Sequence, residues 1–69
     1  MIKNDDELAV TQQRVVHFER QVAQLRKSEA NAENYRMSAG GCLAEIDRMN
    51  LEIRDYLWSH PAETSEAAV

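Results

Sequence analysis

A single cysteine, Cys42, serves the whole 69-residue chain, so no internal disulfide can form. His17 and His60 do not stand at the spacing of a structural zinc site with it. Proline occurs once and glycine only as the pair Gly40-Gly41, too few turn formers for a strand-rich fold. Runs of alternating β-branched residues are also missing. The longest apolar runs are only a few residues, which excludes a membrane-spanning helix and a signal-peptide core. A cytoplasmic location is the expectation that goes with this. A concentrated basic patch is lacking too: eight bases stand against twelve acids, both interleaved, for a net charge of −4. Half of that imbalance comes from Glu63 and Glu66, so the chain alone is not expected to grip a phosphate backbone.

What is present is helical periodicity. Tyr35, Ala39, Cys42, Ile46, Met49, Ile53, Tyr56 and His60 follow one another in alternating steps of four and three. That is the spacing of a helix seam packed lengthwise on another helix. Leu43 and Leu57, with Asn50 between them, widen its apolar face. An earlier seam, Leu8, Thr11, Val15, Phe18, Val22 and Leu25, has the same rhythm, and Ala9, Val16, Ala23 and Ala30 form a heptad stripe beside it. This face is wider than a two-stranded coiled coil requires and suits a helix with two neighbours.

Helix ends are marked as well. Asn4 can cap a free backbone N–H, Glu7 stands three residues on, and Asp5, Asp6 and Glu7 favour the positive end of the helix dipole. Arg26 and Lys27 complement its negative end, and Ser28 to Asn31 reads as the turn. Asn31 or Asn34 can cap the second helix, with Glu33 in its first turn. Pro61 shapes its stop, because the residue before a proline disfavours helical torsions. Two helices, about 5–28 and 31–59, are therefore expected as a hairpin over residues 1–60. Residues 61–69 are expected to be a disordered tail.

Gly40-Gly41 is the main objection, since two glycines inside a helix cost roughly 2 kcal/mol relative to alanine. A competing reading breaks the chain there. The phase favours continuity, because the seam passes from Ala39 to Cys42 without a skipped register and both glycines fall off it.

The fold expected is all-α: an antiparallel two-helix hairpin whose wide apolar faces lead two copies to pair as a four-helix bundle. The residues expected at the oligomer or partner interface are Leu8, Val15, Phe18, Val22 and Leu25 from the first helix. From the second they are Ile46, Met49, Leu51, Ile53, Tyr56, Leu57 and Trp58. Leu51 and Trp58, with Ala44 before them, lie off the main seam as an additional patch. Trp58 either closes the oligomer or forms the spot where another protein docks.

Catalytic, cofactor-binding and metal-binding residues are not expected. Cys42 reads as a buried, inert thiol with no base placed opposite. The histidines read as structural or incidental. Glu45, Asp47, Glu52 and Asp55 share the second helix with Arg48 and Arg54 as a solvated, partly ion-paired face, and no Glu-x-x-His motif accompanies them.

Met1-Ile2-Lys3-Asn4 followed by Leu8, Thr11, Gln12, Phe18 and Leu25 resembles the helical segment that precedes the DNA-binding domain in bacterial Xre/HigA-like antitoxin and transcriptional regulators. Tyr35, Leu43, Glu45-Ile46, Glu52-Ile53 and Tyr56-Leu57 are similar to the second helix of that segment. The resemblance covers about residues 1–58, on generic amphipathic motifs. It implies a bacterial hairpin that dimerises or contacts a partner in a toxin–antitoxin or regulator setting. The helix-turn-helix that follows in those regulators has no counterpart in this sequence, so no DNA-contacting role is carried to any position. An accessory acting through a DNA-binding partner is the alternative function.

Overall fold

The computed structural model describes residues 1–60, and the expected tail, 61–69, lies outside them. Two helices make up the described part: α1, Asp5–Ser28, and α2, Ala32–Trp58. They pack against each other along their length.

Each helix start is built by an asparagine. At α1 the Asn4 carboxamide oxygen accepts from the Glu7 N–H at 2.8 Å. Glu7 reaches back past the cap, its carboxylate accepting from the Lys3 N–H at 2.8 Å. At α2 the cap is Asn31, accepting from the Asn34 N–H at 3.0 Å. Such caps each stabilise a helix by about 1 kcal/mol. Between the helices the Glu29 N–H closes α1 onto the Leu25 carbonyl, and the Glu29 carboxylate accepts from the Asn31 N–H. Glu29 is extended, at φ −96° and ψ 112°, so this turn needs no glycine.

The strands of contact fix an antiparallel hairpin. Tyr56 meets Asp5, 51 residues away, at the open end, and Cys42 meets Gln21, 21 residues away, nearer the turn. Midway, Val15, Ile46 and Met49 form the buried cluster, with Phe18 and Ile53 packed on it. All six residues of the first seam are buried or half-buried, as are Tyr35 to Tyr56 of the second. His60 departs from its expected place: α2 ends at Trp58, and His60 is exposed. Ala30 lies in the turn, where the Ser28 to Asn31 reading put it, and so does not extend the α1 stripe as helix.

α2 runs through Gly40 and Gly41 without interruption, and neither has a positive φ. Ile2 is 6% exposed although it precedes the first helix. It lies beside Tyr56 and Ser59, so the chain leading into α1 folds over the end of α2.

Candidate functional site

At roughly 100° per residue, a side chain's place on each helix follows from its number. Because the helices are antiparallel, the flank reached by turning forward from either seam falls on the same side of the hairpin. The two sides differ in chemistry.

One side is charged. Arg48 bridges Glu45 and Glu52, with N···O distances of 2.6 and 2.7 Å. Hydrogen bonding and charge from Arg48 hold the Glu45 carboxyl below its ordinary range, with a smaller contribution from Arg14 across on α1. The bond to Glu45 in turn raises the Arg48 pKa. Arg48 is exposed and Glu45 and Glu52 are half-buried at the surface, and i,i+3 and i,i+4 pairs of this kind stabilise a helix only slightly. Their clearer effect is to make this flank hydrophilic.

The other side carries exposed apolar groups interleaved with polar ones. Leu43 and Leu57 lie there on α2, 46% and 60% exposed, and Val16 on α1, 43% exposed. Farther round α2 stand Leu51 and Trp58, 59% and 82% exposed, with Ala44 one heptad before Leu51. Asp47 and Arg54 run between the Leu43–Leu57 line and the Ala44–Leu51–Trp58 line. Arg54 approaches Asp55 at 3.4 Å and stands 5.9 Å from the Trp58 ring centre.

The twelve residues expected at an interface therefore divide. Leu8, Val15, Phe18, Val22, Leu25, Ile46, Met49, Ile53 and Tyr56 sit in the seam between α1 and α2, buried or half-buried within one chain. Leu51, Leu57 and Trp58 remain exposed and available to another molecule. Leu43 and Val16, the remaining exposed members of that side, belong to the lines that widen the two seams.

Cys42 is half-buried rather than fully buried, and its thiol donates to the Gln21 carboxamide oxygen at 3.6 Å. The same carboxamide nitrogen stands 3.2 Å from His17 Nε2. An amide does not ionise near neutrality, so Gln21 separates thiol and imidazole instead of passing a proton between them. Among the described residues no three His, Cys, Asp or Glu side chains gather as a metal site. No described helix is long and apolar enough to cross a membrane. At the open end a groove of about 410 Å³ is lined by Met1, Ile2, Glu52, Asp55, Tyr56 and Ser59.

The phenol of Tyr56 donates to the Asp5 carboxylate at 2.5 Å, tying the start of α1 to the end of α2. That bond, then partial burial and the charges of Asp5 and Glu7, raise the Tyr56 pKa above its ordinary 10.0. A raised pKa in the folded state means that the contact's stabilisation is complete below the unfolded value and is lost as pH rises through the folded one. Thermal melts between about pH 9 and about pH 11 should therefore show wild-type stability falling more steeply than that of Tyr56→Phe. Parallel profiles for the two proteins would refute the tie.

Compared with protein-family models, curated proteins and solved structures, the chain finds no match.

Proposed function

We propose that the chain is a non-enzymatic helical interaction module, and that two hairpins associate through their apolar sides into a four-helix bundle. The observation that carries this reading is the uncovered side of the hairpin, with Leu43, Leu51, Leu57 and Trp58 exposed together on α2. Energetics point the same way. Only five apolar residues are buried in the described chain, Ile2, Val15, Ala39, Ile46 and Met49. With one cysteine and, among the described residues, no cluster of metal-binding side chains, a chain of this size has little core from which to offset the entropy of ordering two long helices. Covering the second face supplies what the hairpin lacks.

Sedimentation equilibrium of the purified chain should show a folded dimer that dissociates on dilution. A well-folded monomer at every concentration would refute the proposal. Trp58→Ala should leave the helical circular dichroism unchanged at concentrations where the dimer is full, because the ring contributes little inside its own hairpin. Its expected effect is to weaken association about tenfold, as for truncation of an aromatic anchor. Unchanged association would remove Trp58 from the interface.

The resemblance to Xre/HigA-like regulators supports placing the module in a toxin–antitoxin or regulator system, where it would contact a DNA-binding protein rather than DNA. An acidic chain fits that division of labour.

A further inference from the structure

The apolar side of α2 has a pattern of charge that selects how it is covered. Asp47 and Arg54 lie one heptad apart in the middle of the band, flanked by Leu43 and Ala44 toward the turn and by Leu57 and Trp58 toward the open end. Within the hairpin neither charge is well satisfied. Among the described residues Asp47 makes no ion pair or hydrogen bond, and Arg54 has the 3.4 Å approach to its chain neighbour Asp55 and the Trp58 ring centre 5.9 Å away, but no closer anion. A charge left among apolar groups on a face that becomes covered must find an opposite charge on whatever covers it.

We infer that the occupant is a second copy of this chain, docked with α2 antiparallel to α2 about a two-fold axis at Asn50 and Leu51. This deepens the proposal of self-association and rests on it. Rotation about that axis sets Asp47 of each copy against Arg54 of the other, twice over by symmetry. The same operation places Leu43 against Trp58 and Ala44 against Leu57, a smaller residue facing a larger one each time. The face is thus complementary to itself, as an isologous interface must be. Parallel docking with the same residues in register would set Asp47 against Asp47 and Arg54 against Arg54, like charges in contact at both places. The order of one acid and one base along the band decides between the two arrangements.

Charge reversal tests the pairing. Asp47→Arg and Arg54→Asp, each alone, should raise the dimer dissociation constant about tenfold or more, since each converts both symmetric attractions into repulsions. The double variant Asp47→Arg/Arg54→Asp restores the order of opposite charges and should return to within about threefold of wild type. Mixing the two single variants in equal amounts should also restore association, because each then carries the charges the other requires. Both positions are exposed in the hairpin, so helical content at concentrations that keep the wild type dimeric monitors folding independently. Dimers of equal strength in every variant and no preference in the mixture would overturn this docking while leaving self-association standing. A wild-type chain that is monomeric throughout would overturn both.

Discussion

Met49→Ala is expected to cost about 2–5 kcal/mol, enough to unfold much of the hairpin at moderate temperature. Met49 is 1% exposed and is the largest side chain buried so completely. It sits with Val15 and Ile46 in the cluster that Phe18 and Ile53 cover. Replacement by alanine removes the transfer energy of the thioether chain and leaves a cavity lined by those neighbours. A globular protein can share such a loss among several layers of packing, whereas a two-helix pair has one layer. Loss of the Met49 contacts therefore separates the turn half of the seam from the open half. Met37→Ala is the matched control: Met37 is 74% exposed and its truncation should shift stability by no more than about 0.5 kcal/mol. Thermal melts followed by circular dichroism check the pair. Equal midpoints for the two variants would show that the seam is not where the stability resides.

The contrast between Met49 and Met37 shows what the sequence reveals. Two methionines of identical chemistry have opposite environments, and only their phase distinguishes them. Met49 falls on the line through Ile46 and Ile53, and Met37 falls between Tyr35 and Ala39, on the outer side. Helical repeat converts this phase directly into burial, which is why both seams were readable residue by residue. The Asn4 cap was readable for a similar reason, since it acts within three residues of itself, whereas the second cap stood open between Asn31 and Asn34 and the bond to the Asn31 side chain decides it.

Ile2 was not readable in this way. It belongs to a chain segment with no periodicity, which folds over Tyr56 and Ser59, more than fifty positions away. The signal present was small: one apolar residue standing directly before a helix cap. His60 shows the converse, with the right spacing but beyond the end of the helix that would have carried it. The uncovered side was legible as excess apolar width. Which of its residues stay exposed required the hairpin, because only the antiparallel arrangement puts the forward flanks of both helices on the same side.

Gly40→Ala/Gly41→Ala is expected to stabilise the protein by about 2 kcal/mol and to raise its melting temperature by roughly 8–16 °C. Both glycines lie in the interior of α2, where each costs about 1 kcal/mol relative to alanine through backbone entropy retained in the unfolded chain. The usual reasons for keeping a glycine are absent from the hairpin. Neither has a positive φ, and a Cβ built on either meets nothing within 4 Å. Nor does the inferred docking require them. Its paired residues run from Leu43 to Trp58, so both glycines stand outside the segment of α2 on which the second copy rests. The gain should therefore appear in the proposed dimer as it does in the hairpin, and each single substitution should contribute about half, because the two added methyl groups point to different sides of the helix. Calorimetry of the two single variants and the double variant measures this directly. A lower melting temperature for Gly40→Ala alone would mean that a backbone approaches closely on the apolar side of α2, and would move the contact toward the turn.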